Sequence, residues 1–158
     1  MSLRAPQRAH QALTTVWGVA GCLFCSIISG EVPSFTVAST DDVVAFLDIR
    51  PVFKGHVLVV PRQHLVTLSD LPAPLLSPLF GLAQRLSVAV EKGLGAGGSF
   101  VAMNNKVSQS VAHLHVHVVP RTKGDGLRGF FWPRTKYESD EEAESYASRL
   151  ADAVNGHA

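Results

Sequence analysis

Three imidazoles recur at every second position of one stretch: His113, His115 and His117, alternating with Leu114, Val116 and Val118. Period-two alternation is the pattern of a half-buried β-strand. Successive strand side chains point to opposite faces, so the histidines form a row on one face while the apolar residues enter the core. A strand rises about 3.3 Å per residue, which spaces neighbouring members of the row about 7 Å apart and its ends about 13 Å. Bonds from a metal to imidazole are only about 2.0–2.1 Å long, so one ion cannot hold all three rings. The row must divide its labour.

Neutral imidazole is a good nucleophile near pH 7. It can displace a leaving group from phosphorus and split one displacement into two through a phosphoryl-histidine intermediate. That requires one ring nitrogen free to attack and the other donating its proton to a fixed acceptor, for which a nearby backbone carbonyl would serve. His115 is the candidate nucleophile. His117, one step along the same face, can donate to a phosphate oxygen or to the leaving group. Gln109 and Ser110 precede the row, where their side chains and neighbouring N–H groups could hold non-bridging oxygens as charge develops. The bland alternative is three histidines alternating by chance on a solvated strand.

A second constellation is Cys22-x-x-Cys25. Two thiolates bind zinc only with further ligands, and structural zinc is normally four-coordinate. His113, at the end of the row away from His117, and His64 could complete a Cys₂His₂ set. Chelation there would fix one end of the strand and indirectly orient His115. Two other readings stay open: a redox pair, for which no thioredoxin-like βαβ context is visible, and two buried thiols packed with Leu23 and Phe24.

The elements that must position these residues follow from pattern. Cys22 to Ile28 reads as a short helical turn before Gly30, and Pro33 opens an extended region. Phe35 to Ser39 and Val43 to Ile49 are apolar, β-branched runs that make a hairpin around Thr40-Asp41-Asp42. Gly55 to Val60 is a third strand after the turn Arg50-Pro51-Val52-Phe53-Lys54. Leu75, Leu79, Leu82, Leu86 and Val90 mark one face of a helix from Leu75 to Lys92, with Pro78 tolerable only in its first turn and Gly93 and Gly95 ending it. Ser99 to Met103 is the fourth strand and Val111 to Val119 the fifth. Ser139-Asp140-Glu141-Glu142 is a capping box ahead of a helix from about Asp140 to Asn155, with Tyr146, Leu150 and Val154 on one face. The expected fold class is α+β: a five-stranded antiparallel sheet, one long helix crossing it, and a C-terminal helix.

The 158 residues suit one domain, here divided into an N-terminal arm (1–16), a core (17–121) and an extension (122–158) belonging to the same domain. Apolar content of 46% and a net charge of +1 give no electrostatic argument for a nucleic-acid or membrane partner. The apolar runs fall short of the roughly 20 residues that span a bilayer. No signal peptide is legible, and only two cysteines, three residues apart, suit a reducing compartment. The expectation is a cytoplasmic protein.

The run Gln109 to Arg121 resembles the histidine triad family, whose motif is His-φ-His-φ-His-φ-φ with φ apolar. Cys22-Leu23-Phe24-Cys25-Ser26-Ile27-Ile28, Ala45 to Ile49, Gly55 to His64 and Asn104-Asn105 resemble further landmarks of that family, in family order, over about residues 20–121. The resemblance implies a homodimer with helix and strand elements paired across a two-fold axis. It implies a nucleotide hydrolase or nucleotidyl transferase acting at the α-phosphorus of a nucleoside 5′-phosphoramidate, ester or dinucleoside polyphosphate. The middle histidine, His115, would form a covalent nucleotidyl intermediate, and the chemical step would need no cofactor. The resemblance puts Ser110 on the leaving-group side, Gln109 at the phosphates and His56 beside the row as a supporting residue. It also matches zinc ligation by Cys22, Cys25, His64 and His113 in some members.

On the nucleoside side, Asp48 is placed for the ribose hydroxyls, with Ile49, Phe46 and Phe24 around a base; alternatively, Asp48 closes a turn before Pro51. Asn104 and Ser108 are further candidates for nucleotide contact. The family's glycine-rich link is reduced here to Lys106-Val107-Ser108, which shortens the phosphate loop. Val119-Pro120-Arg121 looks more like the dinucleoside-polyphosphate branch than the branch with Gly-Gly there. In Leu127 to Arg134, Trp132 could stack on a second base and two arginines meet phosphates, or the aromatics could simply pack. A phosphorylase and a nucleotide-binding regulatory module without useful turnover would employ the same residues.

Overall fold

The structure, a computed structural model, describes residues 20–127 and 135–155. The N-terminal arm 1–16 and positions 128–134 of the aromatic, basic segment lie outside the described residues. The chain divides into two compact units, one ending at Lys123 and one beginning at Gly124.

The first unit runs α1 (Leu23–Ser29), β1 (Thr36–Ser39), β2 (Val43–Leu47), β3 (Val57–Pro61), a 3₁₀ turn (Leu68–Asp70), α2 (Ala73–Leu94), β4 (Gly98–Ala102) and β5 (Val116–Arg121). The five strands form one antiparallel sheet in the order β1-β2-β3-β5-β4. Among the described residues this is the expected α+β architecture, with three α-helices counting the C-terminal one.

Both faces of the sheet are covered, which explains why β2 and β3 read as continuous apolar runs. On one face Val43, Ala45, Val57, Val59, Val116 and Val118 pack under Leu79, Leu82, Leu86 and Val90 of α2. On the other, Val44, Phe46, Leu58 and Val60 pack with Phe24 of α1. By length and composition α2 could cross a bilayer. Here its apolar stripe fills the core instead.

Several boundaries differ from the sequence pattern. α2 begins at Ala73, so Pro78 sits in its second turn, not its first; the carbonyl of Pro74 loses its helical donor there. Gly93 lies inside the helix, and Gly95 alone, at φ 67°, is the left-handed cap. The fifth strand begins at Val116, not Val111. Before that point the backbone leaves β3: the N–H of Leu114 donates to the carbonyl of Leu65 at 2.6 Å, and that of His113 to Val111 at 2.8 Å. Alternation nonetheless persists, because Leu114, Val116 and Val118 are all fully buried on the α2 side. The stretch is therefore buried on both faces, not half-buried as its alternation predicts. The cover over the histidine face comes from α1, which is remote in sequence.

The second unit contains α3 (Asp140–Asn155). The Ser139 hydroxyl accepts from the Glu142 N–H at 3.2 Å, while the Glu142 carboxylate reaches back to the N–H of Glu138 at 2.6 Å. The cap is thus a box displaced by one residue on its return arm. Tyr146, Leu150 and Val154 are exposed along one face.

Candidate active site and metal centre

His117 faces the α1 side, because it pairs in register with Leu58 of β3. His113 and His115 lie on the same side, where burial is nearly complete at 0% and 4% exposure. The rings of His115 and His117 stand 4.8 Å apart. They lean together more closely than the strand repeat alone would allow.

Each histidine is held by a group that fixes its tautomer. The carbonyl of Pro61 can only accept, so the Nε2–H of His113 donates to it at 2.9 Å and leaves Nδ1 as a bare lone pair. The carbonyl of His113 accepts the Nδ1–H of His115 at 2.7 Å, which leaves the lone pair of His115 on Nε2. The N–H of Val52 can only donate, so Nδ1 of His56 accepts it at 3.3 Å and the proton of His56 resides on Nε2. That Nε2–H donates to Nδ1 of His117 at 2.9 Å, which puts the proton of His117 on its own Nε2. The Oδ2 atom of Asp48 lies 3.6 Å from Nδ1 of His56, beyond hydrogen-bond reach.

Burial is the main reason that His56, His113 and His117 stay neutral. It lowers His56 below the ordinary imidazole value, with Asp48 opposing, and it lowers His113 and His117 to about 4. For His117 the neighbouring His115 and His56 add to the same direction.

His56 reaches this position through Gly55. That residue has φ 93°, and a Cβ on it would overlap the Leu94 side chain at the end of α2 and crowd Pro120. Asp48, Val52 and His56 then form one knot: the carbonyl of His56 accepts from the N–H of Asp48 at 3.0 Å, and Oδ1 of Asp48 accepts from the N–H of Arg50 at 2.8 Å. The turn-closing reading of Asp48 describes this last contact.

The other candidates divide. Gln109 spends its amide within the loop, accepting from the Lys106 N–H at 2.9 Å and donating to the Val66 carbonyl at 2.6 Å. Asn104 donates to the Ser108 carbonyl at 3.2 Å. Lys106 and Ser108 adopt left-handed backbone at φ 67° and 59°, the strain by which three residues do the work of a longer glycine-rich link. Ser110 is exposed at the entrance to the row. Phe24 and Phe46 are packed edge to face at 5.4 Å within the second core, whereas Ile49 is exposed.

Cys22, Cys25, His64 and His113 converge as the spacing suggested, with all four donor atoms within 4.8 Å of one another. Nδ1 of His113 lies 3.5 Å from Sγ of Cys22 and 3.6 Å from Sγ of Cys25, and Nδ1 of His64 lies 3.3 Å from Sγ of Cys25. Zinc bonds of about 2.3 Å to sulfur and 2.0–2.1 Å to nitrogen at a tetrahedral angle put S and N about 3.6 Å apart. The donor set and its spacing therefore fit zinc, and the Pro61 carbonyl is the outer partner that a ligating histidine needs. Asp48, His56 and His117 also lie close together. The N–H···N bond between the two histidines makes that group a proton-linked chain.

The expected backbone carbonyl behind His115 is that of His113, whereas pattern did not reveal the Val52 N–H and the Pro61 carbonyl, which set the other tautomers. The one visible signal was Gly55 directly before His56.

A family model described as the HIT domain matches residues 29–124. An uncharacterized HIT-like protein of Mycobacterium tuberculosis is 36% identical over 132 residues, 82% of this chain and 92% of that protein. The adenosine 5′-monophosphoramidase HNT1 of Saccharomyces cerevisiae is 34% identical over 135 residues, covering 84% of this chain and 82% of the yeast protein. The structure of a zinc-bound histidine triad family protein from Mycobacterium smegmatis superposes with TM-score 0.65 at 34% identity, over 86% of this chain and 97% of the other. The family model extends over well more than half the sequence and takes in the whole histidine row, so this chain belongs to the histidine triad (HIT) family.

Proposed function

We propose that this protein is a nucleotide hydrolase or nucleotidyl transferase that cleaves at the α-phosphorus of a nucleoside 5′-phosphoramidate, ester or dinucleoside polyphosphate. Nε2 of His115 attacks phosphorus; the P–N or P–O bond to the leaving group breaks as the nucleotidyl-histidine bond forms. The Nε2–H of His117, oriented by His56, hydrogen-bonds the leaving-group atom with Ser110 beside it, and that atom takes up a proton from solvent as its bond to phosphorus breaks. Water then attacks the intermediate and releases the nucleoside monophosphate. Asp48 and Ile49 receive the nucleoside, and the loop that carries Asn104, Ser108 and Gln109 receives the phosphates, with the Gln109 amide bracing the loop. The observation that carries the reading is the directed set of tautomers: one lone pair on His115 beside one N–H donor on His117. Family membership and the activity named for the yeast relative support it.

Cys22, Cys25, His64 and His113 would hold a structural zinc ion, which would tie α1 to the histidine row and leave the chemical step to His115 and His117. The M. smegmatis relative and the fit of the donor spacing support this. We infer a homodimer as well. Strand β4 is an edge strand with Val101 exposed, and α2 exposes Leu76, Phe80 and Val88. Light scattering on the purified protein tests the dimer, and a cytoplasmic location is testable by fractionation.

The decisive experiment is intact-protein mass after brief mixing with an adenosine phosphoramidate or a diadenosine polyphosphate, with the released nucleotides separated in parallel. Wild type should gain an acid-labile nucleotidyl adduct that His115→Ala lacks. Saturable binding with neither adduct nor turnover on both substrates would overturn the catalytic reading.

A further inference from the structure

The Cys22/Cys25 pair reaches His115 by two routes. Through the Cys/His cluster, both sulfurs lie within 3.6 Å of Nδ1 of His113, whose carbonyl holds the Nδ1–H of His115 at 2.7 Å. Through α1, Phe24 sits between the two cysteines in the first turn, and its ring meets that of His115 edge to face at 5.1 Å and 87°. Cys22 is partly exposed, so a small oxidant can reach it, while Cys25 is buried behind it.

We propose that Cys22 and Cys25 form a reversible oxidation site whose disulfide disables His115. The proposal rests on the reading of His115 as nucleophile and of the pair as metal ligands. The oxidant is a hydroperoxide. Two thiolates and two protons react with one hydroperoxide: the O–O bond breaks, the S–S bond forms, and the oxygens leave as water and alcohol, or as two waters from hydrogen peroxide. The sulfurs lose two electrons and the oxygens gain them. A disulfide carries no thiolate charge, so the metal departs and Nδ1 of His113 loses both sulfur partners.

Closing the bond also moves α1. Cys22 is the N-cap of α1, extended at φ −86° and ψ 116°, and Cys25 lies in the first turn. A disulfide needs about 3.5–4.5 Å between Cβ atoms and about 2.05 Å between sulfurs, against donor atoms spread over as much as 4.8 Å here. Joining the sulfurs draws the Cys22 cap and the Cys25 side chain together, and the segment between them carries Phe24, whose ring meets that of His115. A misplacement of about 1 Å at a reacting group can lower a rate on the order of 100-fold. Removing the metal alone, with the thiols reduced, leaves the turn and the Pro61 contact of His113 in place and should cost little activity.

The test uses the zinc-loaded full chain treated with hydrogen peroxide and quenched with catalase. Four readouts are followed: intact mass, released zinc, imidazole NMR signals of His115, and the rate of nucleotidyl-adduct formation. The expected result is a loss of about 2 Da with one zinc released per chain. The adduct rate should fall on the order of 10–100-fold, and dithiothreitol with zinc should restore it. Reduced, zinc-stripped protein should lose less of its adduct rate than the oxidised protein does. Cys22→Asp keeps an anionic donor but cannot form a disulfide, and should resist peroxide. Oxygen addition to the cysteines without a disulfide would overturn the proposal. So would a disulfide that leaves the His115 signals and the adduct rate unchanged, or equal inactivation of Cys22→Asp. If Cys22→Asp fails to fold, the site of oxidation is read from peptide mapping of the wild type. If reduced wild type forms no adduct at all, the nucleophile assignment fails by itself, and the oxidation site is judged on mass, zinc and the NMR signals.

Discussion

Truncating His56 to alanine separates a supporting histidine from a mere core residue. The ring is 3% exposed and joins Val52 N–H on one side to Nδ1 of His117 on the other. Removing it leaves one donor and one acceptor without their partner. An unsatisfied buried polar group costs about 1–3 kcal/mol, and the cavity adds to that unless water enters, so a stability loss of about 2–4 kcal/mol is expected. The catalytic effect has a different origin. The His56 bond, worth about 0.5–1.5 kcal/mol net, biases His117 toward the tautomer with its proton on Nε2. At about 1.36 kcal/mol per factor of ten, that bias is worth about 2- to 13-fold in the ratio of the two tautomers. Lost ring orientation extends the expected fall to about 10–100-fold. Quenched-flow measurement of adduct formation at pH 7, normalised to the folded fraction from urea melts, isolates the chemical step. Nitrogen-15 shifts should show His117 changing from one tautomer to a mixture, and His56→Gln, which retains an N–H donor, should recover part of the rate. A wild-type rate per folded molecule, with the His117 tautomer unchanged, would refute the relay.

Three further outcomes follow from the same geometry. Cys25→Ser removes one of four zinc donors; the melting temperature should fall by roughly 5–10 °C or more, with a smaller change in turnover per folded molecule, and an unchanged melting point and zinc content would refute the metal centre. His117 should remain neutral in an NMR titration until the pH nears 4, because its pKa is lowered to about 4 from the ordinary 6.5. The unfolded chain then binds protons that the folded chain refuses, so stability is complete above about pH 6.5 and declines as pH falls toward 4; urea midpoints flat between pH 7 and 4.5 would contradict this. Lys106→Gly should stabilise the protein by up to about 1 kcal/mol, since φ 67° strains a non-glycine residue more than glycine's flexibility costs. A measured loss would mean that the Lys106 side chain contributes contacts of its own.

What could be read in advance depended on whether the partner of each residue is a side chain or a backbone group. Leu79, Leu86 and Val90 announced their face of α2 because helical periodicity is a property of the residues themselves. The convergence of Cys22, Cys25, His64 and His113 was likewise legible, since donor type restricts what four such residues can do together. The alternation at 113–118 told which side chains share a face but not how deeply that face is buried. Burial of the histidines is supplied by Phe24, some ninety positions earlier in the chain, and no local pattern encodes it. The same limit hid the groups that give His56 and His113 their direction, although a carbonyl behind His115 was expected. Every residue has a carbonyl and nearly every one an N–H, so nothing in the letters marks Val52 and Pro61 as the groups that orient His56 and His113. The residue types supply the reactive groups of this site, and the backbone decides which nitrogen of each faces the substrate.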